Sequence, residues 1–443
     1  MISWLNNSFL KQHVLIYAYV VCMLFFFMMR NAFDISIPVL LFLIISCVPV
    51  IWGNNSTIVA VGLSCIPFST GFQYKFALFA CILALIIKNR KKLFLNRMVI
   101  YVFIMMAWEI LHFVCGDFSL IEMFRCFAEL MFFAVVTCVD FDDLDYKTIF
   151  RVLSLGVVGI CGIMLFMQMQ KYGFDLVNVF ARNNVKYRFG GMNSETLNFG
   201  LNFNSNGLGY ICNLSIMGMI LLIARRQCVK IDYVLLILSI LFGFSTLSRT
   251  FFFCLISLVA LYTISSIHDL NRFFKKALLV LCIAGLTYII LSLFVPEIIH
   301  NFSNRFDDSD ISNGRGDLLI FYLEHIFSAP QYILFGVGLQ NFQEKISLIY
   351  GSLQQVCHNG FEEVWVAWGF FGVLIFFGMI VDMLRSSLKR DKNEIILRIL
   401  PLCILIIDSL AGQLIRSGIS LLSLTFVYIA LNAKHTERNV LIR

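Results

Sequence analysis

Charge is what this sequence has least of. Only 14% of its 443 residues are Asp, Glu, Lys or Arg, while 60% are hydrophobic and the mean hydropathy is +0.85. A soluble domain carries about 25% charged residues, so a soluble globular chain is excluded and a membrane protein is implied. Any CxxC pair is missing too: the 14 cysteines sit almost entirely inside apolar runs, and only Cys357 falls in a long polar segment. That distribution excludes a disulfide framework and a zinc site, and leaves the cysteines as small core hydrophobes. There is no Gly/Ser-rich linker, low-complexity tract or internal repeat, so residues 1–443 read as a single integral membrane domain. The first apolar run is followed by "RNAFD" instead of a small-residue cleavage site and is expected to stay as the first helix. Nor is there one basic face. The net charge of +7 is dispersed over short loops, which argues for membrane topology and against a nucleic-acid partner.

What is present is a succession of apolar runs. A hydrocarbon core of about 30 Å takes about 20 such residues per helix. Runs near 13–29, 35–52, 57–70, 74–87, 98–115, 119–139, 150–170, 204–224, 233–247, 250–266, 277–295, 362–384, 396–411 and 416–432 predict an all-α polytopic protein of about 12–14 transmembrane helices. The run 57–70 is short and reads as re-entrant or as merging with a neighbour. Basic residues concentrate on cytoplasmic loops. With "KNRKKLFLNR" at 88–97 inside, alternation puts "RRQCVK" at 225–230, "NRFFKK" at 271–276, "RSSLKRDK" at 385–392 and both termini on that same side. Two long polar segments then fall outside, about 171–203 and 296–361. The first carries Arg182, Lys186 and Arg188, against the topological bias, and an anionic ligand at the outer leaflet is the simplest reason.

Charged residues within the spans come in helical registers. Glu122, Arg125 and Glu129 share one face at i, i+3 and i+4 spacing and can form an ion-pair ladder. Glu109 and His112 in "WEILH" are one turn apart, and Asp408 lies two turns from Arg416. Both pairs suit either helix packing or a substrate cavity, with Arg416, at an outer turn, the residue expected to face a polar one. Arg249 in "FSTLSRTFFF" stands at the outer tip of a short hairpin. It reads as a snorkelling interfacial Arg or as a cation placed where a lipid diphosphate would lie, and the short hairpin favours the second.

Four stretches resemble the O-antigen polymerase and O-antigen ligase superfamily of bacterial surface-polysaccharide assembly. "GLNFNSNGLGY" at 200–210 is similar to the family's asparagine-rich segment opening a middle helix, through Asn204 and Asn206. "TLSRT" resembles its Ser-Arg hairpin through Ser248 and Arg249. "NGRGDLLIFYLEHIFSAPQYILFGVGLQNF" is similar to the start of its large outer loop: an Arg, an amphipathic helix and a Gly-x-Gly turn, here Gly336 and Gly338. "HNGFEEVWVAWGFFGVLIFF" resembles the His-Asn that precedes the next span. The resemblance covers about 200–384, with more candidate spans than family members usually have.

The resemblance implies transfer of a glycan from an undecaprenyl diphosphate-linked oligosaccharide to a carrier-linked acceptor at the outer leaflet of the inner membrane. Polymerase is the favoured reading, with O-antigen ligase and a lipid-linked oligosaccharide flippase as alternatives; a chain-length regulator is the protein partner expected of a polymerase. Arginine forms bidentate, permanently charged contacts with phosphate oxygens, so Arg249 and Arg315 are the expected clamp on the leaving diphosphate, with Arg188 and Arg416 as further candidates. No metal or cofactor is implied: the acidic stretch "DDSD" at 307–310, the one place in the outer segments with D-x-D spacing, lies in the loop before Arg315 and reads as a solvated loop. His358 is the natural base for the acceptor hydroxyl, or else a structural His, with Glu362 and Glu363 as alternatives. Asn204, Asn206 and Tyr322 are candidate substrate contacts. Tyr322, Trp365 and Trp368 can stack on sugars or serve as interfacial belt residues. "DLLIFYLEHIF" sets Leu318, Leu319, Tyr322, Leu323 and Phe327 on an apolar stripe, expected to lie on the membrane surface and roof a cavity.

Overall fold

A segment crossing lipid must satisfy its own backbone groups, and the apolar runs do so as helices. The computed structural model describes residues 8–68, 73–90, 96–115, 120–175, 179, 189, 205–267, 269–294, 296, 299–301, 303, 315–339, 357–389, 395–412 and 420–433. Within them the helices are α1 (Ser8–Ala32), α2 (Val39–Trp52), α3 (Asn55–Ser64), α4 (Gln73–Asn89), α5 (Arg97–Cys115), α6 (Leu120–Thr137), α7 (Tyr146–Tyr172), α8 (Ser205–Ala224), α9 (Lys230–Ser245) and α10 (Arg249–Ile264). They continue with α11 (Leu270–Phe294), α12 (Arg315–Phe327), α13 (Pro330–Phe335), α14 (Gly360–Leu388), α15 (Ile395–Ala411) and α16 (Ser420–Asn432). Every apolar run of the sequence has its helix, and no strand occurs among the described residues. The protein is an all-α polytopic membrane protein. Among the described residues α1, α5, α7, α8 and α14 are long and apolar enough to cross a bilayer, and shorter apolar helices pack beside them.

The run 57–70 departs from a full span. It forms α3, 10 residues long, which is about 15 Å at the helical rise and half of a hydrocarbon core. Asn54 caps its start by accepting from the Thr57 N–H at 2.9 Å. Every residue from Ser56 to Phe68 is buried. The helix ends level with the middle of α1, where Tyr19 and Ser64 hydroxyls are 2.9 Å apart. Irregular backbone at this depth is tolerated because protein, not lipid, surrounds it.

Polar contacts establish which helix ends share a face. Gln12 of α1 donates to the Trp52 carbonyl and accepts from the Asn54 N–H, and Lys88 of α4 donates to the Gly53 carbonyl. The Ser56 hydroxyl joins Asp143 and Asp145 just before α7, while Arg151 makes a two-pronged pair with buried Asp232 of α9 at 2.8 and 2.9 Å. Asn96 bonds Thr137, bringing the start of α5 to the end of α6. Arg398 of α15 donates to the Ser387 and Leu431 carbonyls at 3.2 and 3.1 Å, closing the ends of α14 and α16. These ends form one face, called basal below; the opposite face is distal. The basal set contains the described flanks of the basic clusters at 88–97, 225–230 and 385–392, in agreement with the alternation read from the sequence.

Two apolar clusters fill the interior. One joins α1–α4 with α7–α10 and one side of α6; the other joins α5, the other side of α6, the loop helices α12 and α13, and α14. Helices α15 and α16 serve both: Leu400, Ile404, Leu422 and Phe426 enter the first, Leu402, Leu405, Leu421 and Leu424 the second. They thereby stand between α10 and α14.

Candidate functional site at the distal face

Residues from both clusters reach the distal face. In the first, the turn between α9 and α10 is tight: Leu247 adopts a positive φ of 48°, uncommon for a branched side chain, and the buried Ser248 caps α10 by accepting from the Phe251 N–H at 3.4 Å. Arg249 is the first helical residue and half-buried. A cation at a helix N-terminus gains nothing from the helix dipole; an anion bound there would be favoured by both. The first turns of α8 lie against this tip, with Gly209 next to Ser248 and Thr246 and the Asn213 amide donating to the Phe251 carbonyl at 3.4 Å. Asn206, half-buried in the first turn of α8, therefore shares this corner with Arg249. Tyr210 donates to the Ser423 hydroxyl, and the Asp408 carboxylate lies within electrostatic reach of Tyr210 and Cys254.

In the second cluster the start of α14 carries the other candidates. Asn359 caps it, accepting from the Phe361 and Glu362 N–H groups at 3.0 and 3.3 Å. Glu362 and Glu363 are buried, and His358 is half-buried one residue before the cap. The Cys357 thiol donates to Glu362 Oε2 at 2.9 Å. Burial, with the Glu362 carboxylate beside it, pushes that thiol well above its usual range, so it stays protonated and acts as the donor. Glu362 Oε1 is buried with no hydrogen-bond partner among the described residues.

What fastens this end of α14 is a break in it. Gly369 has φ 65° and ψ −170°, so residues 360–368 form a separate half-helix. The Gly-x-Gly turn, with positive φ at both Gly336 and Gly338, docks on the break. Val337 and Gly338 N–H groups donate to the Val366 and Ala367 carbonyls at 2.9 and 2.7 Å. A Cβ on Gly369 would stand 2.4 Å from the Leu334 carbonyl carbon, and one on Gly336 would stand 2.6 Å from the Ala367 oxygen; only glycine fits either place.

The loop helix α12 turns a different stripe inward from the one its periodicity suggested. Leu318, Tyr322, His325 and Ile326 are buried, whereas Leu319 and Phe327 face outward. The helix is apolar on two sides, and spacing alone does not say which side meets protein. Tyr322 is 1% exposed, within the second apolar cluster. The indoles of Trp365 and Trp368 donate to the Ile333 carbonyl and the Glu109 carboxylate at 3.2 and 2.8 Å. Burial holds the His325 imidazole below its usual pKa. Of the other candidates, Arg188, Asn204 and Arg416 lie outside the described residues, as do Arg182, Lys186 and 307–310. Arg315 opens α12, and its side chain is likewise outside them. Arg125 and Glu129 approach at 3.9 Å, a rung of the expected ladder, while the Glu122 side chain is not described. Among the described residues no three of His, Cys, Asp or Glu converge as metal ligands.

Residues 234–377 match the family model of O-antigen ligase. The match covers about a third of the chain, and over that stretch the sequence is similar to O-antigen ligase. The matched segment runs from α9 through the Arg249 hairpin and the loop helices into the broken helix α14, and so includes Arg315, Tyr322, His358 and Glu362. No curated protein matches the chain. Cys357, Gly369 and the acceptor role of Glu109 were not evident from sequence; the one signal was the pair of polar residues, Glu109 and His112, on one face of an apolar span.

Proposed function

We propose that this chain is a bacterial surface-polysaccharide polymerase, transferring glycan from an undecaprenyl diphosphate carrier to a carrier-linked acceptor at the outer leaflet. The observation supporting glycan transfer, which polymerase and ligase share, is the O-antigen ligase match over 234–377, which takes in both Arg249 and the half-helix headed by His358 and Glu362. The positive-inside rule makes the basal face cytoplasmic, with both termini there and the distal face outside the inner membrane. The acceptor hydroxyl oxygen attacks the anomeric carbon of the donor sugar. As the bond from that carbon to the phosphate oxygen breaks, its electron pair leaves with the diphosphate. Arg249 and Arg315 stabilise that growing charge through fixed guanidinium contacts, which contribute most where water is excluded. His358 takes the hydroxyl proton. Glu362, four residues further along and inside the first turn of α14, serves as its companion or as the base itself. Asn206 binds the glycan or diphosphate beside Arg249, with Arg188, Asn204 and Arg416 completing the contacts and Tyr322 bracing the roof; a chain-length regulator is the partner proposed for the polymer. Ligase is the second reading, favoured by the description of the matching family.

Chromosomal replacement tests both. Arg249→Lys and Arg315→Lys keep the charge but lose the bidentate fork, and long glycan chains are expected to vanish at normal protein level; full-length polysaccharide from both variants overturns the clamp. Deleting a polymerase leaves single repeat units on the cell-surface lipid acceptor. Deleting a ligase leaves polymer on the diphosphate carrier.

A further inference from the structure

Glu109 sits in the apolar span α5 and is 1% exposed. A carboxylate is costly in such a place unless donors surround it. The distal loop and the half-helix supply donors: the Leu339 N–H, 3.1 and 3.3 Å from the two oxygens, and the Trp368 indole N–H at 2.8 Å from Oε2. Leu339 follows the Gly-x-Gly turn directly, and Trp368 is the last residue before the break at Gly369. One carboxylate therefore ties the docked turn to the final residue of the half-helix. Neighbouring α5 residues reinforce the knot. The Trp108 indole donates to the Trp368 carbonyl at 3.1 Å, and His112 Nε2 bonds the Phe335 carbonyl at 2.8 Å. The carbonyls of Val366, Ala367 and Trp368, all next to the break, thus find donors outside their own helix.

We propose that Glu109 is a positioning residue for the transfer site, setting the orientation of the half-helix 360–368 and of His358 and Glu362 at its head. The inference rests on the reading that those two residues carry the chemistry. The half-helix from Gly360 to Trp368 is a lever of about 12 Å at the helical rise, with His358 just beyond its end, so a slight rotation at Gly369 moves that residue by an ångström or more. A misplacement of about 1 Å can cost about a hundredfold in rate. In this role Glu109 acts through the half-helix, so its loss is expected to lower turnover and leave substrate affinity unchanged.

The test uses the full-length protein in lipid nanodiscs, supplied with carrier-linked glycan extracted from cells deleted for this gene. Glu109→Ala and Trp368→Phe are each expected to lower kcat at least tenfold with KM within about twofold, and the double variant to be no slower than the worse single one. Glu109→Gln, which keeps one acceptor oxygen, should recover part of the rate; it and Trp368→Phe carry the test where Glu109→Ala fails to accumulate. Unchanged kcat in a folded variant, a rise in KM alone, or multiplicative losses in the double variant would overturn the proposal. His358→Ala is run alongside. If it is inactive while the Glu109 and Trp368 variants are fully active, positioning alone is refuted; if it is fully active, the underlying assignment of the chemistry falls.

Discussion

The two ends of the bundle use polar side chains in opposite ways. At the basal end Gln12, Lys88, Asn96 and Arg398 complete the termini of neighbouring regular helices, and Arg151 and Asp232 clamp α7 to α9. At the distal end Glu109, Trp108 and His112 instead hold a helix open, binding the break in α14 and the turn docked upon it. Buried polar groups that merely finish helices stabilise a fold. Groups that maintain an interruption stabilise a geometry which the chain would not otherwise adopt, and in this protein His358 and Glu362 stand at the head of that interruption.

The sharpest way to break the contrast is to show that the two ends face the same side. In a chain with its native cysteines replaced, Ser303→Cys is expected to label from outside intact inner-membrane vesicles of periplasmic-side-out orientation, and Phe274→Cys only after permeabilisation; equal labelling of both would remove the distinction. Next in size is Gly369→Val, which drives a branched side chain into the Leu334 backbone at a positive φ. The docked turn cannot form, and loss of activity with most of the protein degraded is expected by immunoblot. Asp232→Asn attacks the basal end. Breaking a buried pair costs about 3–5 kcal/mol, so melting in detergent should shift strongly down while turnover per folded molecule stays within about twofold. The smallest effect concerns His325. Its imidazole is held below the usual value by burial, so between the folded and unfolded pKa values the unfolded chain binds the extra proton. Its contribution is therefore intact above the unfolded value of about 6.5 and declines as pH falls below it. Loop cleavage by a protease should accelerate from pH 7.5 to 5.5, and His325→Phe should flatten that rise.

Much of the architecture was legible because hydropathy reports burial in lipid directly: each apolar run became a helix, and positive charge marked one face. The half-length α3 was harder, since Ser56–Phe68 is as apolar as a span and only its shortness hints that protein surrounds it. At the site, Ser248–Arg249 and His358–Asn359 were readable because capping and hairpin chemistry are local. Gly369 was not, because a glycine within an apolar run looks like any other helical glycine until another glycine turn is seen against it. Glu109 was half-legible: its spacing to His112 suggested a shared face, but each side chain bonds the loop more than two hundred residues away. Tyr322 illustrates the same limit, since an aromatic on an amphipathic helix can face substrate, lipid or core, and its ring is in the core.

In the proposed function the distal face is an enzyme's active site in which His358 handles the acceptor proton. Purified protein supplied only with carrier-linked repeat units tests it in a single turnover experiment that also measures substrate binding. Wild type is expected to yield a carrier-linked glycan lengthened by one repeat, and His358→Ala to bind the units with unchanged affinity while turnover falls at least a hundredfold. Wild-type turnover from His358→Ala, or no product from wild type with a competent substrate, would contradict the account.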